Sequence, residues 1–135
     1  PVMKKVIRDA KRMAELEGHM LIYGESGTGK QSIARACHDS SPRVEGQFHI
    51  LNCASLPDDV AETELFGIEK SQLTGAESKR GLLESASGGT LVLDEISEMS
   101  QQLQSKLLRV IEDGYYRKAG HNQSTKVDLR IICTT

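Results

Sequence analysis

Apolar residues recur at three- and four-residue steps at the start of the chain. Val2, Met3, Val6, Ile7, Ala10, Met13 and Ala14 form one face of a helix over residues 2–16, with Lys4, Lys5, Arg8 and Arg12 on the other. Gly18 ends that pattern. Met20-Leu-Ile-Tyr23 is a short apolar run stopped by glycine, the form of a buried strand, and Gln31 to Ala36 is helical up to the break at Ser40-Ser41-Pro42. Phe48 to Leu51 is a second strand, followed by a turn-rich stretch and a short helix over about residues 58–66, closed by Gly67. A polar segment fills residues 67–81, and a loop of that length inside a compact domain is usually functional or disordered. Leu91-Val-Leu93 is a third buried strand. Ser100 caps a helix whose apolar face is Leu103, Leu107, Leu108 and Ile111, stopped by Gly114. Tyr115 to Lys118 and Leu129 to Cys133 read as strands flanking a polar turn at Gly120 to Thr125. Strands alternating with helices predict an α/β fold with a mainly parallel sheet.

Composition narrows the class. The chain has 135 residues, 17 Lys and Arg against 19 Asp and Glu, and a net charge of −2. That is one ordinary domain or less, long enough to bury a core without disulfides or a structural metal. A near-neutral balance with dispersed basic residues argues against a segment held to DNA or RNA by phosphate neutralisation. No run approaches the length of a membrane helix and no cleavable leader pattern is present, so the expected location is cytoplasmic. Cys37, Cys53 and Cys133 fit neither a disulfide framework nor a zinc site and read as reduced core thiols. The scattered His19, His38, His49 and His121 are given no function, and the basic residues of the first helix are read as its solvated face.

The chemistry is concentrated at two strand ends. Gly24-Glu25-Ser26-Gly27-Thr28-Gly29-Lys30 matches the G-x-x-x-x-G-K core of a phosphate-binding loop, placed between a predicted strand and a predicted helix. Glycines let successive backbone N–H groups turn in around a phosphate, the helix N-terminus adds partial positive charge, and Lys30 reaches the β- and γ-phosphates. A chance match arises in roughly one in 25 chains of this length, so the flanking elements carry the reading against a glycine turn that only joins two elements. The next position, usually a Ser or Thr whose hydroxyl holds Mg²⁺, is Gln31, with Ser32 adjacent. Leu91-Val-Leu-Asp94-Glu95 is an apolar strand ending in two acids. A carboxylate at a sheet's C-terminal edge can hold the magnesium of a bound nucleotide, the role given to Asp94, and its neighbour can polarise an attacking water, the role given to Glu95. The alternative is that the two acids cap the turn after a strand.

Five blocks in order carry a resemblance over nearly the whole chain: residues 24–30, Leu51-Asn-Cys-Ala-Ser55, Glu64-Leu-Phe-Gly67, Gly88-Gly-Thr-Leu-Val-Leu-Asp-Glu95 and Lys106-Leu-Leu-Arg-Val-Ile111. Together they resemble the AAA+ central domain of bacterial enhancer-binding proteins, the sigma-54-dependent transcription activators. The resemblance implies a P-loop NTPase fold, a three-layer sandwich, with ATP and Mg²⁺ as cofactors. It also implies a hexameric ring that hydrolyses ATP to remodel the sigma-54 RNA polymerase holoenzyme and open promoter DNA, with DNA reading left to another part of the protein. The family commonly has an acidic residue where Gln31 stands, and Asn52 corresponds to the asparagine that couples nucleotide state to Glu95. In the family the long loop carries Gly-Ala-Phe-Thr-Gly-Ala and contacts sigma-54. Here it reads Ser71-Gln72-Leu73-Thr74-Gly75-Ala76, which makes Leu73, Thr74 and Gly75 the candidate contacts but replaces the first half of the motif. Two other readings stay open: a nucleotide-binding transcription-regulatory module that no longer contacts sigma-54, and a solvated loop with a turn at Gly75. A second loop, Arg117 to Ser124, lies near the first in such proteins and is equally a plain hairpin turn. A phosphate-loop small-molecule kinase is a third class, which leaves Asn52, Glu64 to Gly67 and Lys106 to Ile111 unexplained.

In that family the strand ending at Thr135 is followed by a polar sensor residue, by arginines that reach the neighbouring subunit's ATP, and by a helical lid, while a segment before the position of Pro1 helps hold adenine. On the resemblance, residues 1–135 are the N-terminal part of an AAA+ ATPase domain, truncated before the lid, with sensory and DNA-binding domains outside them. Residues 1–135 alone are therefore expected to bind ATP weakly by isothermal titration and to release no phosphate above buffer; robust hydrolysis by them would refute the expectation.

Overall fold

The computed structural model describes residues 2–16, 18–25, 27, 29–68, 75, 78–117 and 124–135. In chain order the elements are α1 (Val2–Glu15), β1 (Met20–Ile22), α2 (Lys30–Asp39), β2 (Phe48–Asn52), α3 (Asp58–Phe66), α4 (Leu82–Ser85), β3 (Thr90–Asp94), a 3₁₀ turn (Ile96–Glu98), α5 (Gln101–Asp113), β4 (Tyr115–Tyr116), β5 (Thr125–Lys126) and β6 (Arg130–Thr134). Four strands form one sheet in the order β1-β6-β3-β2, every neighbouring pair parallel. Alternate residues along the central strands feed two cores, because side chains in a strand point to opposite faces. Leu91, Leu93 and Ile131 pack with α3, α4 and α5, through Leu65, Leu83 and Leu107 among others. Val92 and Ile132 pack on the opposite face with Ala14 of α1 and Ala34 and Cys37 of α2. The result is the expected three-layer α/β arrangement.

The last strand departs from expectation. Tyr115 and Tyr116 pair antiparallel with Lys126 and Thr125, closing a hairpin by themselves. Residues 130–134 are not its second arm; they enter the main sheet between β1 and β3 as a parallel strand. Their near-continuous burial marks a strand covered on both faces, which a hairpin arm on the surface could not satisfy. The polar turn residues 118–123 lie outside the described residues.

Two apolar stripes are also less buried than their spacing predicts. On α1, Ala14 is buried and Ala10 half-buried, while Val6, Ile7 and Met13 stay 36%, 44% and 40% exposed. β1 beneath is an edge strand, so only the small residues facing α2 find partners; Cys37 Sγ donates to Ala10 O at 3.6 Å. On α5, Leu103, Leu107 and Val110 are buried and Ile111 is half-buried, but Leu108 is 54% exposed. Leu108 lines an open hollow of about 440 Å³ with Ile96, Leu107, Ile111 and Cys133. As expected, Ser100 Oγ caps α5 by accepting from Leu103 N at 3.1 Å, and Gly114 ends it in the left-handed conformation.

The long polar segment leaves and returns through a pinched base. Ile68 and Lys79 form an antiparallel bridge, and Lys79 Nζ pairs with Glu64 of α3. The two chains pass so close that a Cβ on Gly67 would meet Lys79 O at 2.4 Å, and one on Gly81 would meet Leu65 O at 2.4 Å. Gly67 is also left-handed, with φ 79°, so it serves both the turn and the close approach.

One buried cation fixes α1 to the sheet. Arg130, 1% exposed at the start of β6, donates from Nε to Gly18 O at 3.0 Å, from Nη1 to Ala14 O at 3.0 Å and from Nη2 to Met13 O at 2.5 Å. It gives a donor to the Ala14 carbonyl in the last turn of α1 and to Gly18 O just beyond it, and adds a second donor to Met13 O, which also accepts from Leu16 N, at a helix end where the dipole favours positive charge. Arg130→Met is expected to lower the unfolding free energy by about 3 kcal/mol, since it strands buried carbonyls, and to shift the urea midpoint with an unchanged slope.

Candidate functional site

The parallel sheet brings the C-terminal ends of β1, β2, β3 and β6 to one edge, where connecting loops can present side chains without disturbing the core. After β1 the chain turns through Gly27, with φ 80°, and Gly29, with φ 84° and ψ 28°, into α2. These conformations are costly for residues with a Cβ and open to glycine. Among the described residues, chain neighbours aside, nothing lies within 4 Å of where a Cβ on either glycine would sit. Among the described residues no side chain caps α2, whose first residues Lys30, Gln31 and Ser32 line the cleft.

Lys30, the first residue of α2, is only 7% exposed, yet its ammonium is fully engaged. Nζ donates to Gly24 O at 2.9 Å, Thr135 O at 3.0 Å and Glu95 Oε1 at 3.2 Å, three acceptors for three protons. Asp94 ends β3, buried, with both carboxylate oxygens bonded. Oδ1 accepts from Thr134 Oγ1 at 2.5 Å and Oδ2 from Gln31 Nε2 at 2.5 Å. Gln31 thus reaches the acid through its amide. Glu95 has φ 56° and ψ 56°, a left-handed conformation worth about 1–2 kcal/mol of strain for a residue with a Cβ. Its backbone N–H is held by Thr134 Oγ1 at 3.0 Å and its side chain turns back to Lys30. Asn52, in register with Asp94 across β2 and β3, uses Oδ1 to accept from Ala54 N at 3.0 Å, closing the turn after its strand.

One cleft of about 390 Å³ is lined by Gly27, Gly29, Lys30, Gln31, Asn52, Asp94 and Glu95, together with Ser32. Gly24 sits behind it, its N–H bonded to Thr135 O at 3.0 Å, and Glu25 is exposed at the loop surface. Ser26 and Thr28 lie outside the described residues. So do Leu73 and Thr74, while Gly75 is exposed with φ 71° and is not among the residues lining the cleft. The hollow beside α5 carries no carboxylate, lysine or arginine. Sequence reasoning missed the end of β6: the Thr134 hydroxyl and Thr135 carbonyl hold both halves of the site. The signal available was a threonine directly after the apolar Ile131-Ile132-Cys133, a polar group that burial obliges to find partners. Among the described residues no cluster of three or more His, Cys, Asp or Glu forms a metal site, and no helix is long and apolar enough to cross a membrane.

A glycine loop between a parallel strand and a helix, a buried lysine and an acid pair at the end of β3, one strand removed from β1 in the sheet, define a P-loop NTPase fold. The family model described as the sigma-54 interaction domain matches residues 1–135, and the chain belongs to that family. It is 48% identical over 136 aligned positions to the HTH-type transcriptional regulatory protein TyrR of Enterobacter agglomerans, covering 100% of this chain and 26% of that protein. It is likewise 48% identical over 136 positions to the regulatory protein AtoC of Escherichia coli (strain K12), covering 100% of this chain and 30% of that one. Among solved structures, NtrX from Brucella abortus in complex with ATP superposes with a TM-score of 0.88 at 38% identity, over 98% of this chain and 28% of NtrX. The chain thus spans between a quarter and a third of the length of these relatives.

The thiols flank this site without joining it. Burial, then the neighbouring Cys133 and Asp94, push the Cys53 thiol up to about 12, and burial pushes Cys133 up to about 11. Burial also raises Cys37. All three are free, as the sequence suggests. At pH 8 a disulfide-exchange reagent is expected to modify Cys53 and Cys133 at least about a hundredfold more slowly in the folded protein than in urea, because the thiolate is the nucleophile. Labelling at equal rates in both states would contradict the burial described.

Proposed function

We propose that this chain binds ATP with Mg²⁺ and, within its full-length protein, is the ATP-hydrolysing module that remodels the sigma-54 RNA polymerase holoenzyme to open promoter DNA. The observation that carries the reading is the convergence of Lys30, Asp94 and Glu95 on one cleft under an open glycine cradle. The residues fit the group: the loop and the start of α2 offer room and partial positive charge for phosphates, and Asp94 offers a carboxylate for the metal. The ATP complex of NtrX supports the same occupant, since its fold matches this chain over nearly all of its length. Mg²⁺ held by Asp94 would supply positive charge against the negative charge of the phosphates.

The chain's own residues supply the rest. Lys30 binds phosphate oxygens, and doing so draws its charge from Glu95, which it now holds at 3.2 Å. Glu95 is then free to orient water and accept its proton. Gln31 steadies Asp94 at 2.5 Å without adding a negative charge. Asn52 shares the cleft and, through its turn, lies where a change at Glu95 can be passed to β2 and to α3. From α3 the chain enters the long loop, whose Leu73, Thr74 and Gly75 are the proposed sigma-54 contacts. Assembly as a hexamer belongs to the same reading.

Three measurements on the full-length protein test this. Glu95→Gln is expected to slow ATP hydrolysis by about 10²- to 10⁴-fold while retaining ATP binding, and Lys30→Ala to weaken binding itself. Unsubstituted protein is expected to form open complexes at a sigma-54 promoter. Intact hydrolysis with no open complex would instead select the regulatory module that has lost the sigma-54 contact, the reading favoured by Ser71-Gln72-Leu73 in place of the family's motif.

A further inference from the structure

Thr134 is completely buried at the end of β6. Its main chain pairs with Ile22 of β1, at the root of the phosphate loop, while its hydroxyl reaches β3 on the other side. A threonine hydroxyl has one proton to give and lone pairs to accept. Asp94 is acceptor-only when ionised, so the proton goes to Asp94 Oδ1 at 2.5 Å, and a lone pair takes the Glu95 N–H at 3.0 Å. One oxygen therefore fixes two things: the rotamer of the acid that would face the metal, and the peptide plane from which Glu95 projects. Glu95 needs that second restraint. It is the one non-glycine residue with positive φ among those described, and in that conformation its carboxylate meets Lys30. With the N–H released, the peptide could relax to the common region of backbone space and carry the carboxylate away from the cleft.

We propose that Thr134 is a positioning residue for ATP hydrolysis, holding Asp94 and Glu95 in their working arrangement through a single hydroxyl. It acts through those two residues and does not touch substrate. The proposal rests on the ATP-hydrolysing reading above and adds to it a residue that belongs to neither the phosphate loop nor the acid pair.

The test uses the full-length protein with Thr134→Val, which keeps the shape and removes the hydroxyl, Thr134→Ser, which keeps the hydroxyl and removes a methyl, and Glu95→Gln as reference. Thr134→Val is expected to lower kcat by about 10- to 100-fold, as loss of a supporting hydrogen bond typically does, with KM and the affinity for a fluorescent ATP analogue changed by less than about threefold. Hydrogen exchange in nucleotide-free protein is expected to show the Glu95 amide exchanging faster in Thr134→Val and unchanged in Thr134→Ser. Thr134→Ser is expected to hydrolyse ATP within about threefold of the unsubstituted rate. Full activity in Thr134→Val alongside a slow Glu95→Gln overturns this proposal alone. So does a Thr134→Ser variant that binds the analogue but is slow, because the loss would then come from packing. If the unsubstituted protein binds ATP without hydrolysing it, or Glu95→Gln is as fast as the unsubstituted protein, the ATPase reading fails and the role of Thr134 falls with it.

Discussion

The cleft depends on β6 lying between β1 and β3. Parallel strands place all their C-terminal ends at one edge, but they do not by themselves bring two loops into contact. Here the inserted strand does so with its last residues: the Thr135 carbonyl holds Gly24 N–H and the Lys30 ammonium on one side, and the Thr134 hydroxyl holds Asp94 and Glu95 on the other. The loop and the acid pair are thus referenced to the same backbone. The opposite end of β6 has the matching duty, since Arg130 anchors the C-terminus of α1. A single five-residue strand and the residue after it tie the outer helix, the phosphate loop and the acids into one framework.

The electrostatics follow from that framework. Lys30 is nearly buried, and a buried ammonium is tolerated only when its protons are satisfied. Two backbone carbonyls and one carboxylate meet that need, and only the carboxylate can be released by a rotamer change. The ion pair with Glu95 is therefore the adjustable member of the set. Asp94 is steadier, with neutral donors on both oxygens and only its cleft-facing side open.

Much of this arrangement was legible in the chain because the signals are local. A glycine pattern between a strand and a helix, and two acids after an apolar run, each require only a few consecutive residues, and both lie where they were expected. Helix ends were legible for the same reason: Ser100 and Gly114 act through bonds within one turn. What escaped were relations between distant residues. Thr134 meets Asp94 across 40 positions and Thr135 meets Lys30 across 105, and both depend on where β6 enters the sheet, which periodicity does not encode. The pairing of β4 has the same origin, since Thr125–Lys126 is too short a strand to announce itself, while Leu129 to Cys133 is the apolar run that follows the polar turn in sequence. Leu108 shows the complementary limit: spacing marks an apolar face but not how far the neighbouring layer extends over it.

The pinched base of the long segment has a consequence for how such a domain can change. Gly67 and Gly81 bring the outgoing and returning chains into backbone contact, and the Glu64–Lys79 pair closes the junction above α3. The entropy of bringing the two ends together is met at that junction and depends only weakly on how many residues lie beyond it. Residues between the two arms can then be exchanged, lengthened or rewritten without altering the sheet or the cleft. Ser71-Gln72-Leu73 lie in sequence between the two arms of this junction, so substitutions there are separated from the cleft by a fixed base.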